Sequence, residues 1–240
     1  MNRKFFLAGA TGATGQRLAR MILDSEDHLC VVVRSRGRLP KSLQNHPNIR
    51  VVEKALLDLS EQELNEALTD CEAIFSCLGH NLTWKGIFGE PRRLVTQAAQ
   101  RLCESAQTAN PGKPVKYILM NTVSVRNSDL NEPRSAVYKA INSLLRLLPP
   151  HTDNEQAADY LRLLNRNTPT AIEWAVVRPD GLIDAEEVTP YDIFPSPTRN
   201  PLFNPGKTSR INTAHFMHQL ACDDELWKTW KGQMPAIYNR

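Results

Sequence analysis

A glycine-rich segment near the amino terminus constrains the fold of this chain more than any other feature. Residues 9–15 read Gly-Ala-Thr-Gly-Ala-Thr-Gly, directly after the apolar residues 5–8 and before an amphipathic stretch. This order predicts a buried strand, a glycine turn and a helix beginning near Gln16. Gly9 allows the tight turn, Gly12 lets a pyrophosphate approach the backbone, and Gly15 lets helix and strand pack closely. The segment therefore predicts a dinucleotide site at the positive end of a helix.

The rest of the chain alternates apolar runs typical of strands with segments of helical periodicity. Continuous apolar runs indicate strands of a parallel sheet, here residues 5–8, 29–33, 49–53, 72–78, 115–120 and 171–177. Helices are predicted over residues 92–107, 138–148, 154–166, 214–221 and 223–230, and Ser60 with Glu63 forms a capping box at the start of another. Pro149 and Pro150 are expected to end the helix over 138–148. The alternation predicts an α/β fold with a doubly wound parallel sheet.

The last quarter of the chain is less regular. The proline-rich residues 188–205 predict a long loop without regular structure, and residues 235–238 predict a final edge strand. We expect one dinucleotide-binding domain over residues 1–240, in which residues 183–240 form a small C-terminal lobe beside the substrate.

Composition excludes several classes of protein. The net charge of +3 in 240 residues is too small to indicate nucleic-acid binding. No segment approaches the ~20 apolar residues of a membrane span, and the chain enters a strand too early for a signal peptide. Its five cysteines are scattered and odd in number, which favours reduced thiols in a cytoplasmic protein.

A basic turn after the second strand bears on the choice of nucleotide. The turn reads Arg34-Ser35-Arg36-Gly37-Arg38 and contains no carboxylate. At this place an acidic residue binds the ribose 2′-hydroxyl of NAD, whereas arginine accommodates the 2′-phosphate of NADP. Arg34 and Arg36, with the hydroxyl of Ser35, therefore predict NADP(H) as the cofactor, with NAD(H) as the less favoured alternative.

Several segments together resemble a known family. They are residues 9–15, Val31-Val32-Val33-Arg34, Cys77-Leu78-Gly79, Asp159-Tyr160-Leu161-Arg162 and Val177-Arg178-Pro179-Asp180-Gly181-Leu182. In these the chain resembles the atypical short-chain dehydrogenases/reductases, in particular the NAD(P)H-binding group that includes NmrA-like proteins and the biliverdin-IXβ and flavin reductases. The resemblance implies a Rossmann fold and a bound dinucleotide, and it fixes no substrate.

The resemblance also implies roles for individual residues. The phosphates would lie against Gly9, Thr11, Gly12, Ala13, Thr14 and Gly15, and the adenosine ribose against Arg34. Leu78, Gly79 and His80 would lie beside the nicotinamide ribose, and Asn121, Thr122 and Ser124 near the nicotinamide. Many relatives place an aspartate after the third strand to hold the adenine, whereas this chain has Ala55 there and Asp58 slightly later.

The Tyr-x-x-x-Lys proton relay of ordinary short-chain reductases does not occur in the sequence. Spacing extrapolated from Asp159 places Pro150 and Asn154 where the tyrosine and lysine would stand. Ser124, Thr122 and His151 are the candidates to donate or position a proton instead.

Two functions remain open from the sequence. One is an NADPH-dependent reductase of a small planar or carbonyl compound, such as a flavin, quinone or tetrapyrrole. The other is a non-catalytic regulator that binds NADP and a protein partner. His215 and His218 have a spacing that suits a metal, but no third ligand is evident, and no metal is predicted.

Overall fold

An eight-stranded sheet forms the centre of the computed structural model, which describes residues 2–80, 89–130, 132, 141, 146–167, 170–201 and 203–240. Its strands are β1 Lys4–Ala8, β2 His28–Val33, β3 Ile49–Glu53, β4 Ala73–Ser76, β5 Val115–Met120, β6 Ile172–Pro179, β8 Tyr191–Phe194 and β10 Ala236–Asn239. The order is β3-β2-β1-β4-β5-β6-β10-β8, and β8 runs antiparallel to β10. A separate pair joins β7 Leu182–Ile183 to β9 Thr208–Ser209.

Helices cover both faces of this sheet. They are α1 Ala13–Asp24, α2 Lys41–Gln44, α3 Glu61–Leu68, α4 Leu94–Ala109, α5 Pro149–Asn167, α6 Arg210–Cys222 and α7 Asp224–Trp230. Alternate residues of β1 point to opposite cores: Phe6 packs with α3, α4 and α5, whereas Phe5 packs with α1 and α6. Burial on both faces explains the continuous apolar runs. The doubly wound sheet predicted from the sequence is therefore confirmed.

The predicted strands agree with the observed ones within about two residues at each end, and the capping box of Ser60 and Glu63 is present. Helix α1 begins at Ala13 and not near Gln16, because Gly12 already has an extended backbone and stands at the N-cap position. Five free cysteines are found, four of them buried.

The two consecutive prolines begin a helix in the structure. Pro149 and Pro150 were expected to end a helix, but they begin α5, which runs from Pro149 to Asn167 rather than over 154–166. Proline is favoured in the first helical turn because the N–H that it lacks has no partner there. The helix predicted over 138–148 falls largely outside the described residues.

The expectation of no regular structure over 188–205 was also wrong. Strand β8 lies between Pro190 and Pro195, where flanking prolines limit its length to four residues. It pairs with β10 at the edge of the sheet, a position in which prolines are tolerated. The last strand is consequently internal, between β6 and β8, and not the predicted edge strand.

Arg178, on β6, joins the segments that follow β5 and β8 to the segment that precedes β10. Its side chain is fully buried, and its guanidinium donates to the carbonyls of Val125, Pro195 and Met234. The guanidinium also lies 2.8 Å from the buried carboxylate of Glu132. The Arg-Pro-Asp-Gly element that carried part of the family resemblance thus has a structural role here.

We expect Arg178→Met to lower the free energy of unfolding by about 3–5 kcal/mol, because it leaves the buried charge of Glu132 without its partner. Urea denaturation followed by circular dichroism measures this loss. The double variant Arg178→Met/Glu132→Gln removes the stranded charge and should lose less. A loss below 1 kcal/mol in the single variant would contradict this role.

Candidate functional site

The glycine turn has a conformation that two of its glycines make possible. Gly9 has a φ of +88°, and a Cβ there would lie 2.5 Å from the carbonyl oxygen of Cys77. A Cβ on Gly15 would lie 2.2 Å from the carbonyl oxygen of Gly9. At Gly12 the nearest atom would be 3.4 Å away, an ordinary contact. Packing therefore requires Gly9 and Gly15, whereas Gly12 is exposed at the turn.

The amino end of α1 has the properties of an anion site. Within the described part of the chain no side chain caps this end, and its first turn contains no acidic residue. Ala13 is exposed here, Thr14 is buried, and the Gln16 side-chain amide donates to the carbonyl of Thr11, which holds the turn. Unpaired N–H groups and the helix dipole both favour a negative ligand at such an end.

A cavity of about 420 Å³ opens in front of this helix end. It runs along the carboxyl ends of β1 to β4, where the direction of winding changes on the two sides of β1, the usual ligand crevice of such sheets. Its lining residues are Ala8, Gly9, Thr11, Gly12, Val32, Val33, Arg34, Arg38, Lys54, Ala55, Leu56, Leu57, Asp58, Cys77, Leu78, Gly79, Glu90, Pro91 and Leu94.

One end of the cavity is cationic. Arg34 and Arg38 line it, and neither forms an ion pair with any residue that the structure describes. Arg36, which the sequence favoured, does not line the cavity, since its guanidinium donates to the carbonyl of Gln44. Ser35 also lies outside the lining and stands at the N-cap of a short 3₁₀ turn. The first and last arginines of the turn therefore line the cavity, and the middle one does not.

The opposite wall of this end follows β3. Lys54 lines the cavity, and its Nζ lies 2.8 Å from Glu63 Oε2. Hydrogen bonds from Lys54 and from the Ser60 N–H lower the pKa of Glu63 to about 2. Asp58 also lines the cavity, beyond Ala55, where an adenine-binding aspartate was expected. Arg101 on α4 donates to the carbonyls that flank Asp58 and fixes this turn.

Leu78 and Gly79, which the family resemblance places beside the nicotinamide ribose, line the cavity at the end of β4. Asn121, Thr122 and Ser124 follow β5, next to β4, but they lie outside the lining. The Asn121 side chain accepts from the Thr122 N–H and donates to the Asn154 carbonyl, and the hydroxyls of Ser124 and Thr122 are 3.3 Å apart. These side chains form a polar cluster beside the cavity.

His151 also lies outside the lining. Its Nε2 is 3.5 Å from a carboxylate oxygen of Glu155, which Arg146 contacts at 2.8 Å. Burial would raise the pKa of Glu155, but hydrogen bonds with His151 and Arg146 lower it to about 2. The structure thus places His151, on α5, beside the ion pair of Arg146 and Glu155.

The sequence does not predict one buried pair, which joins the residue after Gly79 to α5. His80 Nε2 lies 2.8 Å from Asp153 Oδ2, and both side chains are almost fully buried. His80 was noted only as a neighbour of the nicotinamide ribose. Nothing in the sequence pointed to Asp153, because 73 residues separate the two.

The two histidines considered as metal ligands, His215 and His218, contact different residues in the structure. His215 Nδ1 lies 2.8 Å from the Tyr191 hydroxyl. His218 instead lies near Asp27 and Cys222, with ligand atoms of all three within 4.8 Å of one another. The guanidinium of Arg3 already engages Asp27 at 2.9 Å, and its positive charge opposes a cation there.

The residues described include no helix that is both long and apolar enough to traverse a lipid bilayer.

We expect Gly12→Ala to fold normally but to bind NADPH at least tenfold more weakly, because its methyl group would stand where the diphosphate approaches the backbone. Gly15→Ala is the matched comparison, since its methyl group overlaps the Gly9 carbonyl and should lower the melting temperature. Calorimetric titration and thermal unfolding measure the two effects. Unchanged NADPH affinity in Gly12→Ala would contradict this geometry.

Comparison with known proteins identifies the family and its class of cofactor. The family model described as NAD(P)H-binding matches residues 9–224. Averufin oxidase A from Aspergillus flavus is 25% identical over 199 residues, which cover 78% of this chain and 67% of that protein.

Solved structures show the same fold. A short-chain dehydrogenase/reductase from Veillonella parvula in complex with NADP superposes with a TM-score of 0.71 and 16% identity, covering 100% of this chain and 95% of the other. ChuY, an anaerobillin reductase from Escherichia coli O157:H7, superposes with a TM-score of 0.67 and 18% identity, covering 98% of this chain and 97% of the other. Because the family model spans most of the sequence, including the whole glycine turn, the chain belongs to the NAD(P)H-binding family.

Proposed function

We propose that this protein is a reductase that uses NADPH to reduce a small planar or carbonyl-containing compound. The observation that carries the proposal is the cavity at the carboxyl ends of β1 to β4, which joins the amino end of α1 to Arg34 and Arg38. Among the described residues, no side chain caps that helix end and no carboxylate pairs with either arginine. The sequence relative named as an oxidase and the structural relative named as a reductase support redox chemistry.

The residues present fit an NADP(H) molecule. The diphosphate would accept hydrogen bonds from the N–H groups at the amino end of α1, over the exposed Gly12. The 2′-phosphate would lie between Arg34 and Arg38, whose guanidinium groups offer planar, charge-assisted donors. Asp58 replaces the missing aspartate at the adenine end. These assignments differ from the sequence prediction in three places: Arg38 takes the place of Arg36, Ser35 is left out, and Asp58 is added at the adenine end.

Bound NADPH supplies the hydride, so the protein has to orient the substrate and manage a proton. Leu78 and Gly79 would support the nicotinamide ribose. Thr122 and Ser124 lie at the end of the neighbouring strand, where their hydroxyls would contact the substrate. The glutamate pairing of His151 makes it the weakest of the three proton donors considered from the sequence.

A direct assay separates a reductase from an NADP-responsive regulator. The purified protein is mixed with NADPH and a panel of flavins, quinones, tetrapyrroles and simple carbonyl compounds, and the absorbance of the reduced nicotinamide is followed. Oxidation of NADPH that depends on one of these compounds is expected. Tight NADPH binding without turnover of any of them would contradict the reductase and favour the regulator.

Cofactor preference provides a sharper test. We expect Arg34→Ala and Arg38→Ala each to weaken NADPH binding about ten- to hundredfold, since each removes a charged hydrogen-bonding partner of the 2′-phosphate. NADH binding should change less than threefold. Arg36→Ala is the matched control and should bind NADPH like the unmodified protein. Equal losses for both cofactors, or a larger loss in Arg36→Ala, would contradict the assignment.

A further inference from the structure

Lys54 lines the cationic end of the cavity, on the wall opposite the turn that carries Arg34 and Arg38. Strands β2 and β3 are parallel and pair Val33 with Glu53, and the Lys54 N–H donates to the Val33 carbonyl at 2.9 Å. Lys54 therefore leaves β3 at the level at which Arg34 leaves β2. Cationic side chains from two neighbouring strand ends thus line one part of the cavity.

Glu63 holds the ammonium of Lys54 in place. Its two carboxylate oxygens lie 3.1 and 2.8 Å from Lys54 Nζ, and Oε2 also accepts a hydrogen bond of 2.7 Å from the Ser60 N–H. The same carboxylate completes the capping box of α3, so the helix fixes its position. The pKa of Glu63, lowered to about 2 chiefly by the hydrogen bond from Lys54, leaves the carboxylate ionised at neutral pH.

This ion pair leaves the ammonium able to bind a further anion. An ammonium carries three hydrogens, and in the ranges that the structure describes Nζ contacts only the Glu63 carboxylate. The side chains of Lys54 and Glu63 are 39% and 43% exposed. Ordering a flexible lysine costs conformational entropy, and the contact with Glu63 meets part of that cost before a ligand binds.

We propose that Lys54 contacts the 2′-phosphate together with Arg34 and Arg38 and makes the site selective for NADPH over NADH; this inference rests on the use of NADPH proposed above. A phosphate monoester carries nearly two negative charges at neutral pH, and its three oxygens accept hydrogen bonds. The two guanidinium groups and the ammonium supply donors from two walls of the cavity. Glu63 is a positioning residue that orients Lys54, while its negative charge opposes the phosphate.

Calorimetric titration of three variants with NADPH and NADH tests this assignment. Lys54→Met removes the charge but keeps a long side chain, so NADPH should bind about tenfold more weakly. Glu63→Gln keeps a residue that suits a capping box. Because it removes the opposing charge, NADPH should bind about two- to fivefold more tightly. The double variant Lys54→Met/Glu63→Gln should lie between Lys54→Met and the unmodified protein.

Two controls accompany these variants. NADH affinity should change less than about twofold in each, because NADH lacks the 2′-phosphate. Lys41→Met removes an exposed lysine close to the basic turn but outside the cavity lining, and it should leave the affinity for NADPH unchanged. A loss of NADPH affinity in Lys41→Met as large as that in Lys54→Met would overturn the specific role of Lys54.

The nucleotides 2′,5′-ADP and 5′-AMP isolate the contact, because they differ only in the 2′-phosphate. The ratio of their affinities should fall about tenfold in Lys54→Met. If Lys54 contacts the adenine instead, 5′-AMP and NADH will weaken as much as NADPH. If it only supports α3, Lys54→Met will lower the melting temperature and leave the ratio unchanged. Either result would overturn the proposal, as would weaker NADPH binding in Glu63→Gln.

The outcomes separate this inference from the reductase function. If the unmodified protein reduces an acceptor, and Lys54→Met discriminates NADPH from NADH equally well, only the role of Lys54 fails. If 2′,5′-ADP binding depends on Lys54 but no acceptor is reduced, the role of Lys54 stands and the reductase function fails. If the unmodified protein binds neither NADPH nor 2′,5′-ADP, both proposals fail.

Discussion

The close contact between the glycine turn and the end of β4 is the constraint on which the rest of this structure depends. Gly9 adopts a positive φ and leaves no room for a side chain beside the Cys77 carbonyl, and Gly15 approaches the Gly9 carbonyl just as closely. These approaches place the amino end of α1 directly over the crevice between β1 and β4. An anion bound there meets unpaired N–H groups and the positive end of the helix dipole together.

The two ends of the cavity are specialised by different interactions. At one end Arg34 and Arg38 form no ion pair within the described ranges of the chain, while Glu63 engages the nearby Lys54. Near the other end His80 Nε2 lies 2.8 Å from Asp153 Oδ2, and both side chains are almost fully buried. An arginine that forms no ion pair within the protein is suited to binding a phosphate. A buried carboxylate that accepts several hydrogen bonds instead holds its partners in fixed orientations.

The sequence predicted what local patterns determine. Apolar runs located six central strands because both faces of the sheet are buried, and the glycine segment located the helix end that faces the cavity. The sequence could not separate Arg36 from Arg38, since the short 3₁₀ turn decides which guanidinium faces the cavity. Tertiary pairing likewise produced β8 within the proline-rich segment and brought His80 to Asp153. Tertiary contacts of this kind produce no periodic pattern in the sequence.

We propose that main-chain N–H groups at the start of α1 hold the diphosphate of a dinucleotide. Backbone ¹H–¹⁵N spectra recorded during titration with NADPH test it most directly. If the diphosphate binds there, the amide signals of Ala13, Thr14 and Gly15 will shift downfield and be among the most strongly perturbed. Saturation with NADPH that leaves these three amides unmoved, while signals elsewhere shift, would contradict it.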